Sequence, residues 1–110
     1  MLIEEDRKNI ELIRTTAQKV WGEDCVFGDF KELNSPYPEF EWNIVLYGRF
    51  EVRIEYECGG IGNMVKTADG YITLSRLTDE QVFRGLKSGI PENLLHNFQV
   101  LDRLLKTYMD

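Results

Sequence analysis

Apolar and polar residues change their spacing twice along this chain, and the two changes divide it into three parts. Ile3, Ile10, Ile13, Ala17 and Val20 or Trp21 recur at helical spacing, which predicts an amphipathic helix over residues 3–21. Glu4, Glu5 and Asp6 fall in its first turn, where the helix dipole favours anions, and Gly22 is a natural stop. The spacing then shortens to two. A short strand is predicted over about 25–31, followed by the loop NSPYPE (34–39), in which Pro36 and Pro38 each hold the preceding residue extended. Trp42, Ile44 and Leu46 alternate with Glu41, Asn43, Val45 and Tyr47; Val52, Ile54 and Tyr56 alternate with Glu51, Arg53, Glu55 and Glu57. NMVKTA and YITLSR flank Asp69-Gly70, a hairpin signal.

Beyond Leu77 the helical period returns. Thr78 with Gln81 forms a capping-box pattern and predicts a helix running to about Lys87 and ending near Gly89. Pro91 opens a last helix whose stripe is Leu94, Phe98, Leu101, Leu105 and Tyr108, widened by Leu95 and Leu104. The predicted fold is α+β and a single domain over 1–110. It has an N-terminal helix, an antiparallel meander of four to five strands and two C-terminal helices, with the helices packed on one sheet face.

Parity constrains the hairpins, because paired strand residues share a face. Between Leu46 and Val52 only an odd loop keeps the apolar faces together. A loop of Gly48-Arg49-Phe50 pairs Leu46 with Val52, Ile44 with Ile54 and Trp42 with Tyr56. A two-residue Asp69-Gly70 turn pairs Thr67 with Ile72 and Val65 with Leu74. If Tyr56 and Val65 both face the core, the stretch ECGGIGN must hold an even loop. Either Gly59–Gly62 or Gly60-Ile61 satisfies this, with Ile54 opposite Thr67 and Glu55 opposite Lys66. A phosphate-cradling reading of GGIG is disfavoured: such loops lead from a strand into a helix, whereas a strand follows here, and no Lys-Ser or Lys-Thr pair follows. Ile61 then stands at the loop tip, either as a contact knob or folded back onto the core.

Charge adds a direction. Residues 1–60 hold 13 acidic and 7 basic side chains, and residues 61–110 hold 6 of each, so the whole net charge of −6 lies in the first half. This argues against nucleic acid, whose phosphates need a concentrated basic face. No signal peptide precedes the first helix and no apolar run is long enough for a membrane span, so no membrane partner is expected. Cys25 and Cys58 are too few for a disulfide scaffold and are read as reduced thiols of a cytoplasmic protein.

Candidate chemistry is sparse. His96 is the only histidine and has no second ligand or nucleophile near it in sequence, so no catalytic residue, metal site or cofactor is assigned. The outer sheet face carries the most information. Glu55 pairs with Lys66, whereas Glu41 and Glu57 face one another without an evident cation, either solvated or awaiting a basic partner. Tyr37, Tyr47 and Tyr71 frame this patch with the mixed apolar and polar character of interface tyrosines. The candidate partner-binding residues are Glu41, Glu55, Glu57, Tyr47, Tyr71 and Ile61.

Three functions fit these features. The first is a non-enzymatic module that docks on a basic partner protein. Immunity proteins and other inhibitors that cover basic nucleic-acid-processing sites act in this way. The second is a small-molecule-binding domain or small enzyme with a pocket between sheet and helices near Trp42, Tyr56 and Trp21. The third is a self-associating adaptor or structural protein, so that monomer and homodimer both remain open.

Overall fold

The computed structural model describes residues 2–109. Its elements run α1 (Glu4–Trp21), β1 (Cys25–Glu32), β2 (Glu39–Leu46), β3 (Phe50–Glu57), β4 (Gly60–Thr67), β5 (Gly70–Thr73) and α2 (Pro91–Lys106), with short 3-10 turns at Gly22–Asp24, Leu74–Arg76 and Gly85–Gly89. The fold is α+β. All five strands pair antiparallel with their sequence neighbours, in the order β1-β2-β3-β4-β5.

The inner sheet face and the two helices share one core. Phe40, Trp42, Ile44 and Leu46 of β2 and Val52, Ile54 and Tyr56 of β3 are buried. They pack in one cluster with Ile13, Ala17 and Trp21 of α1 and Leu94, Phe98, Leu101 and Leu105 of α2. Burying each valine, leucine, isoleucine or phenylalanine among these contributes about 1.5–3 kcal/mol. Rings fill much of the interior: Phe40 stacks on Tyr56 at 4.6 Å and 8°, and Trp21 meets Phe98 at 5.0 Å. Tyr108 does not extend the α2 stripe. The helix ends at Lys106, and Tyr108 is exposed.

The second C-terminal helix does not form. Residues 77–84 run as an irregular loop into the 3-10 turn Gly85–Gly89. Thr78 Oγ1 accepts a bond from the Glu80 N–H (3.2 Å), a local turn in place of a capping box. The backbone of Phe83 is held by Asn97 of α2, whose Oδ1 accepts from the Phe83 N–H (2.9 Å) and whose Nδ2 donates to the Phe83 carbonyl (3.0 Å). His96 Nε2 donates to the Gln81 carbonyl at 2.8 Å. Gly85 sits at φ 62°, outside the helical region. A single short helix carries a nucleation cost, and these side-chain bonds supply the backbone with other partners.

The hairpins keep the predicted parity but not the predicted pairs. The β2–β3 loop has three residues, Tyr47-Gly48-Arg49, with positive φ at Tyr47 (56°) and Gly48 (67°). It pairs Leu46 with Phe50, Ile44 with Val52, Trp42 with Ile54 and Phe40 with Tyr56. The β3–β4 turn is Cys58-Gly59, with φ 49° and 93°, the double positive φ of a type I′ hairpin. It sets Tyr56 opposite Ile61, Ile54 opposite Asn63 and Glu55 opposite Gly62. The last hairpin turns at Ala68-Asp69 with Gly70 at φ 98°, and pairs Val65 with Ile72.

In β1 two residues, Gly28 and Asp29, stand opposite Asn43 alone, which is a β-bulge. Phe27 and Phe30 consequently both turn toward Trp42, at 4.7 and 5.5 Å between ring centroids.

Asp6 ties the start of α1 to the sheet. Its Oδ2 accepts from the Ile3 N–H (2.8 Å) and its Oδ1 from the Tyr56 hydroxyl (2.5 Å). Burial, reinforced by that bond to Asp6, pushes the Tyr56 phenol up to about 12. A phenol whose folded value lies above its unfolded value of about 10 contributes stability that is complete below pH 10 and is lost as pH rises through 12. Cys25 is pushed up to about 11 by burial and adds to the same trend. Urea midpoints should therefore stay level from neutrality to about pH 9, where the unfolded thiol begins to ionise, and then fall, more steeply above about pH 10. Tyr56→Phe should lower the neutral midpoint but shallow the alkaline decline; an unchanged alkaline slope would contradict this assignment.

Candidate functional site

Two surfaces combine polar chemistry with access. The first is the outer sheet face, which neither helix covers. Its rows follow from the observed register: Glu39 opposite Glu57, Glu41 opposite Glu55, Asn43 opposite Arg53, and Val45 opposite Glu51. On β1, Lys31 adjoins Glu41. Glu41 and Glu57 therefore do not face each other, and each stands against a different glutamate. Arg53 lies between two of these carboxylates, 3.9 Å from Glu41 and 3.7 Å from Glu55, and its guanidinium stacks over Tyr71 at 4.0 Å. Lys66 pairs with Glu51 at 3.2 Å, not with Glu55. Such half-exposed pairs contribute about 0–1 kcal/mol each, so they neutralise charge more than they stabilise the fold. Glu39 accepts a bond from Ser35 Oγ (3.1 Å), and Glu57 is exposed with no ion pair among the described residues. The least compensated charge is thus the Glu39–Glu57 row at the end of the face.

Tyr47 and Ile61 lie away from that face. The Tyr47 hydroxyl donates to Asp102 Oδ1 on α2, so this ring braces the β2–β3 loop against the helix layer. Asp102 also accepts from Trp21 Nε1 (3.0 Å) and pairs with Lys106 (2.9 Å). Burial alone would raise the Asp102 carboxyl, but the bonds from Tyr47, Lys106 and Trp21 outweigh it and hold it below the usual carboxylate range. Asp102 is structural and had no sequence signature, because its three partners come from 81, 55 and 4 residues away. Ile61 is 1 % exposed and opposite Tyr56, since the turn closes at Cys58-Gly59 and places Ile61 within β4. Of the sequence-predicted residues, Glu41, Glu55, Glu57 and Tyr71 share the outer sheet surface, and Tyr37 is exposed in the loop before β2.

The second surface is a groove of about 640 Å³ at the edge of β4. Pairing between β4 and β5 stops at Met64–Thr73, so Gly60–Asn63 have a strand neighbour on the β3 side only. The loop from Val82 to Ser88 stands across the gap. Ser88 closes one end: its Oγ accepts from the Ile61 N–H (2.8 Å) and donates to the Gly85 carbonyl. Gly60 and Gly62 carry no side chains on the outer side, and Glu55 and Glu57 stand beside them on β3. The inner lining includes Ile61, Leu74, Val82, Phe83, Asn63 and Asn97.

Asn63 was not identified from the sequence. It is 3 % exposed on the core side of β4, yet neither its Oδ1 nor its Nδ2 has a hydrogen-bond partner. Leaving such a group unpaired costs about 1–3 kcal/mol. The available signal is a polar residue in phase with Val65; it stands out once the turn is placed at Cys58-Gly59, which sets Asn63 inside β4 between inward-facing Ile61 and Val65.

The aromatic residues first placed around an internal pocket are used in packing. Trp21, Trp42 and Tyr56 are 4 %, 6 % and 2 % exposed and each meets another ring. Cys25 and Cys58 are free thiols, the first half-buried and the second exposed in its turn. Among the described residues no helix is long and apolar enough to cross a membrane. The chain matches no family model, no curated protein and no solved structure.

Proposed function

We propose that this chain is a non-enzymatic binding module that docks on a basic partner protein, in the manner of an inhibitor. The supporting observation is the uncovered outer sheet face, where Glu39, Glu41, Glu51, Glu55 and Glu57 stand against the cations of Lys31, Arg53 and Lys66. A rigid five-stranded sheet presents these charges in fixed rows, which favours steering and orientation of a complementary basic surface. Tyr71, flattened under Arg53, and the exposed Tyr37 add aromatic contact area to the same module. A second copy of the chain would bring the same negative face and a net charge of −6, so this face suits a basic partner better than itself.

The test uses the native chain and the double variant Glu39→Lys plus Glu57→Lys as matched baits in a lysate of the encoding organism. A basic protein held by the native chain should be lost from the variant. With that protein purified, affinity at low salt should fall by about tenfold or more and the salt dependence should flatten. If every retained protein binds both baits equally, or if retention is insensitive to salt, docking through this face is wrong.

A further inference from the structure

We infer that the groove at the edge of β4 is a binding site for a small molecule carrying a planar group with adjacent hydrogen-bond donor and acceptor, such as a carboxamide or lactam. The site is separate in kind from the charged docking face: its recognition element is buried and neutral. Its volume, about 640 Å³, lies within the range of small-molecule pockets. Its walls supply apolar contact through Ile61, Leu74 and Val82, and Gly62, which has only the Glu55 carbonyl near its side-chain position, leaves the outer side open.

The ligand class follows from Asn63. Both ends of its amide are buried and unpartnered, so the complementary group must offer a donor to Oδ1 and an acceptor to Nδ2 together. A carboxylate leaves Oδ1 unpaired and also meets the charges of Glu55 and Glu57 on the rim. A simple ammonium leaves Nδ2 unpaired. A carboxamide satisfies both atoms. The same chain shows this two-point pairing elsewhere: Asn97, in the same groove, binds the donor and acceptor of Phe83 with its own amide at 2.9 and 3.0 Å. Asn97 and Ser88 are already satisfied, which leaves Asn63 as the buried side chain on this lining with unused donor and acceptor.

The test is an amide-resolved NMR titration of the whole chain with benzamide through the millimolar range, the affinity such a small fragment reaches. Benzamide should shift the Asn63 side-chain NH2 signal and the backbone signals of Ile61 and Gly62, and benzoate at equal concentration should not. Asn63→Leu, if folded, should weaken benzamide by about tenfold. Absence of benzamide shifts at these signals, equal shifts from benzoate, or unchanged benzamide affinity in folded Asn63→Leu would each overturn the proposal. The benzamide–benzoate comparison on the unmodified chain decides the matter even if the variant does not fold.

Discussion

Gly89→Ala is expected to lower stability by about 3 kcal/mol or more, among the largest losses any single methyl group should cause in this chain. A Cβ at Gly89 would land on the carbonyl oxygen of Gly59, far inside van der Waals contact. The obstacle is backbone, not a flexible side chain. Gly59 is fixed at φ 93° in the turn between β3 and β4, and residue 89 ends the 3-10 turn that carries Ser88 to the Ile61 N–H. Relief therefore requires moving either the hairpin or the 85–89 segment, and each movement strains the Ser88 bond. At roughly 4 °C per kcal/mol for a domain of this size, the melting temperature should fall by about 12 °C. Gly62→Ala is the control. Its Cβ would stand 3.7 Å from the Glu55 carbonyl, an ordinary contact, on the exposed side of β4. That variant should be neutral or more stable by about 0.5 kcal/mol, because alanine restricts the unfolded chain. Equal melting temperatures for the two variants would contradict the close packing of Gly89 against Gly59.

The second large effect is expected at Asn97. Asn97→Leu keeps the size of the side chain but deprives the Phe83 N–H and carbonyl of their partners. Two partly buried backbone groups left unpaired cost about 2–4 kcal/mol together, unless the loop opens to water. If it opens, the loss is smaller and the loop exchanges its amide hydrogens. Thermal unfolding and hydrogen exchange distinguish the routes: either the melting temperature drops by about 8–16 °C, or the Phe83 amide loses its protection at smaller cost. A variant with native stability and native protection at Phe83 would show that the clamp does not hold the loop.

The same clamp explains where the sequence misleads. Thr78 and Gln81 have the residue types and spacing of a helix start, and nothing local opposes a helix before Gly85. The opposing partners are Asn97 and His96, which reach Phe83 and Gln81 from the next element. Local propensity yields to tertiary hydrogen bonds of that kind. The helices α1 and α2 and the face of β2 and β3 were legible because periodicity over many residues reports which side is buried.

The hairpin registers were only half legible. Parity forces an even or odd loop but does not choose among loops of the same parity. The choice fell to backbone conformation at Tyr47 and Cys58, non-glycine residues that adopt positive φ. Moving the β3–β4 turn to Cys58-Gly59 buries Ile61 and gives Glu55 a glycine neighbour. It also moves Asn63, without changing its face, from the foot of the hairpin beside Cys58 to a place opposite Ile54 inside β4. The candidate groove was thus hidden behind a turn displaced along the chain, whereas the acidic character of the outer face survived because every admissible register keeps the glutamates on one side.

The order of the elements has a consequence for synthesis. Each strand pairs with the one before it, so the meander can assemble hairpin by hairpin as the chain leaves the ribosome. Its inner face cannot be closed on that schedule. Part of the cover is α2, and Leu101 and Leu105 emerge after every strand has been made. Until then Phe40, Ile44 and Ile54 lie under α1 alone. A stalled product ending before Asn97 would hold a paired sheet with a bare apolar side, the kind of surface that chaperones and proteases recognise. The final turns of α2 therefore complete both the packing and the chain's release from that exposed state.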